Sequence, residues 1–306
     1  MQRKNVGILR GGRDPWFDLS IKSGEFVRRS LDKLDFNIND IWISKDGIWH
    51  KRGFEVLPVK ALEQLDTVLN VLPLETYADI QRDLERISVP YVGPASVQAL
   101  LAVNRNLTRE ILASEINFPK SRTLSISENF EDELYNIFKS VPQPVVVKPA
   151  QGFLGDKENK PTHGFFELKD SISDAFESFP KVLLEEYIRG RYASCLVIDN
   201  FRGEELYIFP PLEFQESGDE NYYFYSSNFT SEEKKELERV SLEVHRDLGL
   251  KHCSKMDFVV SPKRGVFLLE IDPLPLFSSP SAFGIALESV GSSIDEFLKH
   301  IIDITT

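Results

Sequence analysis

Short apolar runs, glycine turns and amphipathic segments alternate along this chain, the pattern expected of an α/β protein. Val6-Gly7-Ile8-Leu9 reads as a strand and Arg10-Gly11-Gly12-Arg13 as a glycine turn. Phe26, Val27, Leu31 and Leu34 then mark the apolar face of a helix. Strand, glycine turn and helix open a doubly wound domain, although the GxGxxG dinucleotide fingerprint is absent. Further strands are predicted at 39–44, 67–74 and 90–93, with helices over 79–87 and, unbroken, over 94–115. A second group comprises a helix over 130–140, the buried strand Pro144-Val145-Val146-Val147-Lys148-Pro149, and a long polar loop over 150–163. A strand at 165–168, a helix over 171–178 and a strand over 182–188 complete that group. The remainder reads as strands at 194–198 and 205–209, a polar tyrosine-rich loop over 216–228, and a helix over 231–248.

The pattern is sharpest near the end of the chain. Met256-Asp257-Phe258-Val259-Val260 and Val266-Phe267-Leu268-Leu269-Glu270-Ile271-Asp272 flank a short turn with Pro and Gly, the signature of an antiparallel hairpin. Glu270 and Asp272 are two apart, so they share one face of their strand, and Asp257 is expected beside them. Three carboxylates on one face of an apolar hairpin repel one another unless a cation lies between them. Hard oxygen ligands at this density suit Mg²⁺ with a phosphate ligand, Mn²⁺ being the alternative. The plainer reading is a solvated sheet face carrying scattered acids.

Composition narrows the class. The chain has 306 residues, long for a single hydrophobic core, so two or three subdomains are expected. A net charge of −12 argues against nucleic acid as the main ligand. No apolar run approaches the roughly 20 residues of a membrane span, and no secretory h-region opens the chain. Cys195 and Cys253 lack a CxxC partner and read as buried thiols, and the dispersed histidines form no zinc pattern. A cytoplasmic protein without a membrane partner is expected.

Lys148 ends a strand of valines, so its stem is buried and its ammonium needs an anion, for which phosphate is apt. Alone, a strand-end lysine is more often a snorkelling surface residue. Glu185-Glu186-Tyr187-Ile188 ends a later strand, where an acid, backbone groups and apolar side chains can read a purine edge. In this order, Lys148, a glycine-containing loop, Glu185-Glu186 and the carboxylate hairpin offer a candidate binder for each part of ATP.

Order and spacing over almost the whole chain resemble an ATP-grasp ligase of the D-alanine:D-alanine ligase family. The stretches that carry the resemblance are Gly11-Gly12-Arg13 with Asp18-Leu19-Ser20-Ile21-Lys22-Ser23-Gly24, Val89-Pro90-Tyr91-Val92-Gly93, and Val145–Pro149. They continue with Leu184-Glu185-Glu186-Tyr187-Ile188-Arg189-Gly190, Lys255-Met256-Asp257-Phe258 and Leu269-Glu270-Ile271-Asp272-Pro273. The resemblance implies an α/β ATP-grasp fold, α+β in its C-terminal part. Its implied subdomains are a Rossmann-like domain over 1–98, a central subdomain over 99–183, and a C-terminal subdomain over 184–306 that carries the metal site. It also implies a ligase that phosphorylates one amino acid's carboxylate with ATP and couples it to a second amine, in peptidoglycan precursor synthesis. The family is commonly homodimeric. By position, Asp257, Glu270 and Asp272 would hold Mg²⁺, Arg105 and Lys148 would bind phosphates, and Glu185, Glu186 and Ile188 would bind adenine. Lys255 would neutralise the transferring group, Asp18 would hold the first substrate's ammonium, and Ser281 the second substrate's carboxylate.

Departures from the family pattern cluster at the chemistry. Asp272 stands where asparagine is usual, Lys255 for arginine, Arg105 for lysine and Asp18 for glutamate, all keeping an oxygen ligand or the charge. Gly152-Phe153-Leu154-Gly155 replaces a serine-bearing phosphate loop, Tyr192 replaces an acid at the ribose, and the first-substrate loop is replaced by 72–77. The family's Pro-Gly turn is Pro275-Leu276, and Tyr222, Tyr223 and Tyr225 are alternatives for its loop tyrosine. Two other readings therefore stand beside the ligase: an ATP-binding protein without turnover, and a ligase for another amino acid or peptide.

Overall fold

The computed structural model describes residues 3–12, 17–72, 74–127, 130–151, 160–217, 220–225, 228–275, 277 and 281–305, with side chains omitted at 74–79, 130–132, 216–217 and 220–225. The first third of the chain runs β1 (Lys4–Gly11), α1 (Phe17–Leu31), β2 (Phe36–Ile43), β3 (Trp49–Lys51), β4 (Phe54–Glu55), α2 (Pro58–Leu62), β5 (Thr67–Asn70) and α3 (Leu74–Ile87). Next come α4 (Ser96–Val103), α5 (Arg105–Leu112), β6 (Ser121–Ser125), α6 (Phe130–Ser140), β7 (Val145–Pro149), α7 (Phe165–Phe176) and β8 (Lys181–Glu186). The rest is β9 (Arg191–Asp199), β10 (Leu206–Ile208), β11 (Leu212–Ser217), β12 (Glu220–Tyr225), α8 (Ser231–Asp247), β13 (Cys253–Ser261), β14 (Gly265–Asp272), α9 (Ala282–Ser289) and α10 (Ile294–Thr305).

These elements form three sheets. The first has the order β4-β3-β2-β1-β5, with β1 parallel to both β2 and β5, as the doubly wound reading expects. β1 passes through a buried layer, and Gly11 at its end has φ 94 and sits where a Cβ would meet the Ile43 carbonyl at 2.2 Å, so glycine is required. The second sheet, β6-β8-β7, is antiparallel and packs one face on α6 and α7 through Leu124, Val145, Val147, Leu168, Ile172 and Leu184. The third has the order β12-β11-β9-β13-β14, with β10 paired to β9, and α8 covers it through Leu237, Val240 and Val244. One apolar cluster joins the first sheet to the third: Ile8 and Leu69 share it with Ile198, Phe209, Phe283 and Phe297. The expected boundary at residues 183 and 184 falls inside β8, and that at 98 and 99 inside α4.

Four expectations change. Residues 90–93, expected as a strand, make only an isolated bridge to Val68 through Tyr91. Residues 165–168 open α7 instead of forming a strand, because Phe165, Leu168 and Ile172 recur at helical spacing while Phe166 is 80% exposed. The single helix expected over 94–115 is two, broken at Asn104 (φ −91, ψ 97), whose side chain accepts from the Leu107 amide and caps α5. The loop expected over 216–228 contains β12, paired antiparallel with β11. Its polar composition fits the edge of a sheet, where only one strand side is paired. Both cysteines are free and buried, and burial pushes the Cys195 thiol up to about 12. No helix among the described residues is long and apolar enough to cross a membrane.

Asp199, at the end of β9, ties the third sheet to its neighbours. Its carboxylate bonds the His245 ring of α8 at 2.9 Å and accepts from the His252 amide at 2.6 Å, while its carbonyl meets the His300 ring of α10 at 2.8 Å. Burial alone would raise this carboxyl; the His245 and His252 contacts outweigh it and hold it below its ordinary value. A depressed carboxyl stabilises the fold above its unfolded pKa of about 3.9, and that contribution is lost as pH falls through the lower folded value. Asp199→Ala is therefore expected to lower unfolding free energy by about 2 kcal/mol at neutral pH. In denaturant titrations the gap to the parent chain should narrow below about pH 4.

Candidate functional site

β13 is paired on both edges, by β9 and β14, so its side-chain directions are fixed. Lys255 stands opposite Asp272, and Asp257 opposite Glu270. With residues two apart sharing a face, all four project together, as expected for the three acids. The register shifts between Asp257 and Phe258, a bulge that leaves Leu269 without a partner in the ladder. Met256, Phe258, Val260, Leu268 and Ile271 point the other way, into the core beneath α8. Val259 and Phe267 remain on the acid face and cluster with Ile188, with Tyr192 and Leu269 packed against them. One face of the hairpin thus carries charge at one end and an apolar floor near its turn.

The acids are held apart by bonds to neighbours. Lys255 Nζ lies 2.5 Å from Asp257 Oδ2, and Ser194 Oγ of β9 donates to the other oxygen. Arg105 donates from Nη2 to Glu270 Oε1 at 3.0 Å and from Nη1 to the Pro149 carbonyl at 2.9 Å, joining the hairpin to the end of β7. Asp272 Oδ1 accepts from the Leu274 amide at 3.2 Å. Burial pushes the Asp272 carboxyl up to about 6, Lys255 opposes this, and the charges of Glu270 and Asp257 add to it. Among the described residues no three of His, Cys, Asp or Glu converge to hold a metal ion. The donor set nonetheless fits a hard divalent cation: every donor is a carboxylate, and a half-buried acid held near pH 6 beside two others is a site that gains by acquiring positive charge.

Facing the hairpin, the second sheet presents Lys148 and Glu185. Lys148 is 4% exposed and Glu185 2%, and Lys148 Nζ lies 3.0 Å from Glu185 Oε1. Arg109 of α5 donates to Glu185 Oε2. Burial would raise the Glu185 carboxyl, but Lys148 and Arg109 together hold it below its ordinary value. Glu186, next along β8, points elsewhere. Its carboxylate takes the Arg264 fork at 2.9 Å on both oxygens and accepts from the Lys120 amide at 2.7 Å. Arg264 belongs to the hairpin turn and lies 4.8 Å over the Phe267 ring, so this ion pair links the second sheet to the third. Gly190 follows, where a Cβ would come within 2.4 Å of the Val260 carbonyl. Only glycine lets the connection from β8 pass this close to the hairpin.

The structure thus brings together Lys148, Glu185, Arg105, Glu270, Asp257, Lys255 and Asp272, with Ile188 on the apolar floor. Asp18 is exposed in the first turn of α1, and Ser281 caps α9 by accepting from the Gly284 amide at 3.2 Å. Tyr192 stacks on Phe214 with ring centroids 5.3 Å apart. The loop 152–155, Leu276, and the side chains of Thr76, Tyr222, Tyr223 and Tyr225 lie outside the described residues. Sequence reasoning missed Arg109, Ser194 and Arg264. The spacing of Arg105 and Arg109, one helical turn apart, was the available signal for the first. The other two act through tertiary contacts that leave no local pattern.

Comparison with known proteins identifies the family. The family described as D-ala D-ala ligase C-terminus matches residues 113–303. D-alanine–D-alanine ligase B of Clostridium perfringens is 24% identical over 312 residues, covering 97% of each chain. The D-alanine–D-alanine ligase of Fervidobacterium nodosum is 25% identical with the same coverage. Among solved structures, the VanG D-Ala:D-Ser ligase from Enterococcus faecalis superposes with a TM-score of 0.85 at 19% identity over 100% of both chains. D-alanyl-alanine synthetase A from Vibrio cholerae gives 0.87 at 20% identity, over 100% of this chain and 99% of that one. The chain belongs to the D-alanine:D-alanine ligase family of ATP-grasp proteins.

Proposed function

We propose that this chain is an ATP- and Mg²⁺-dependent ligase that joins two small D-amino acids through an acyl phosphate, in peptidoglycan precursor synthesis. The observation that carries this reading is the two-part hairpin face: Asp257 opposite Glu270 and Lys255 opposite Asp272, continuous with the floor of Val259, Phe267 and Ile188. A purine needs an apolar surface and a polar edge, and a polyphosphate needs cations a short distance away. The second sheet supplies a matching pair, Glu185 and Lys148, across from that face.

In this reading the adenine rests on Ile188, Val259 and Phe267, with Glu185 at its edge. Glu186 contributes through its backbone, because its carboxylate is committed to Arg264 and Lys120. Lys148 and Arg105 meet the phosphates. The first substrate's carboxylate attacks the γ-phosphorus, ADP departs, and the second substrate's amine attacks the acyl carbon. The resulting tetrahedral species expels phosphate and leaves the dipeptide. Lys255, held on Asp257 beside the acids, would offset the negative charge that develops on the transferring group. Asp257, Glu270 and Asp272 would hold the divalent cation, which when bound neutralises phosphate charge. Asp18 and the α9 cap at Ser281 would receive the ammonium and carboxylate of the substrates. Three subdomains and a homodimer belong to the same proposal and follow from the resemblance, and a cytoplasmic location follows from the composition.

A second reading, nucleotide binding without turnover, is favoured by the Lys255–Asp257 contact, which fills the acid face internally. Phosphate release from ATP and Mg²⁺ against a panel of D- and L-amino acids, singly and in pairs, separates the two. The ligase reading expects release stimulated by D-alanine or a related pair and reduced about 100-fold in Glu270→Gln. Silence across the whole panel, with ATP bound, would favour the second. Chelation of divalent metal should abolish the stimulated release and restore it on adding Mg²⁺, whereas turnover that survives chelation would remove the three carboxylates from the metal role.

A further inference from the structure

Two arginines one turn apart on α5 reach different acids of the site. Arg105 goes to Glu270 and the Pro149 carbonyl, at the phosphate end. Arg109 goes to Glu185, at the base end, and its second arm donates to the Pro119 carbonyl at 2.9 Å. Its guanidinium also lies 5.1 Å over the Phe118 ring. A planar fork anchored by a carbonyl and an aromatic face has little freedom, so the carboxylate it grips is fixed in turn. Lys148, on a flexible stem, holds the other oxygen.

We propose that Arg109 is a positioning residue that selects the base of the nucleotide by keeping Glu185 aimed as an acceptor-only group. The inference rests on the adenine reading given above. Lys148 and Arg109 each use one acceptor site on Glu185, and an ionised carboxylate has about four. A base bearing an exocyclic amine, as adenine does, donates to a remaining site. A base bearing a carbonyl there, as guanine does, sets two acceptors against each other. Without Arg109 the buried carboxylate loses a cation and its orientation, can take up a proton, and can then donate to that carbonyl. Discrimination between the bases should weaken even where the fold is intact.

Calorimetric binding of Mg-ADP and Mg-GDP to the full chain tests this. The parent is expected to prefer ADP. Arg109→Gln should lose roughly tenfold in ADP affinity with GDP affinity unchanged or improved, so that the ADP:GDP ratio falls by at least that factor. Arg109→Lys, which keeps the charge but not the fork, should recover part of the ratio and serves if Arg109→Gln does not fold. A parallel loss for both nucleotides would overturn the inference, because a packing role lowers both together. Unchanged ADP affinity would overturn it as well. A parent chain that binds neither diphosphate would overturn the nucleotide reading itself, and a parent that prefers ADP with variants that keep the ratio would overturn only the role of Arg109.

Discussion

Everything at the site depends on the antiparallel register of β13 between β9 and β14. That pairing sets Asp257 against Glu270 and Lys255 against Asp272, and it sends the alternate residues into the core beneath α8. A slip of one residue would exchange the two faces, burying four charges and exposing Met256, Phe258 and Val260. The large penalty for burying such charges unpaired is what holds the register. The bulge at Asp257/Phe258 lies within this constraint: it absorbs Leu269 so that the acids and the apolar floor fall on the same side.

The second dependence is electrostatic. Three carboxylates in the seam between the two sheets have a cation from another element, Arg109 and Lys148 for Glu185, Arg105 for Glu270 and Arg264 for Glu186, while Asp257 takes Lys255 of its own strand. Buried ion pairs contribute little net stability after desolvation, but removing one partner is costly. Their effect here is geometric. Arg105 and Arg264 bridge the second sheet to the hairpin, so the spacing of the two sheets is tied in part to Arg105, which would also meet the phosphates.

The fold class and the acid face were legible because both rest on period-two and strand–turn–helix patterns, which are local. Asp257 beside Glu270 follows from strand alternation plus a short turn, and β13 and β14 have that form. Residues 165–168 were misread as a strand because four residues do not separate the two periods; the helix emerges only when Ile172 is counted with Phe165 and Leu168. The break at Asn104 was missed because a mid-helix asparagine has two readings, and the bridge to Gln151 and the Arg105 amide bond to Ala150 decide between them. The commitment of Glu186 to Arg264 was invisible for a related reason. Seventy-eight residues separate the partners, and nothing local to either announces the other.

Charge balance gives the family's altered metal position a meaning. Around the cleft stand four cations, Arg105, Arg109, Lys148 and Lys255, and four carboxylates, Glu185, Asp257, Glu270 and Asp272. The set is therefore close to electroneutral above pH 6, the value near which Asp272 ionises. With asparagine in place of Asp272, as the resemblance makes usual, the same set would carry one net positive charge for the triphosphate. Among these eight described groups the charges cancel, which would leave the charge of a triphosphate to be met by a counter-ion bound with it. In the proposed function a divalent cation would supply that charge and draw the Asp272 carboxyl toward its ionised form at the same time. Under the proposed function, the substitution that looks like a departure from the family would make nucleotide binding depend more heavily on the metal.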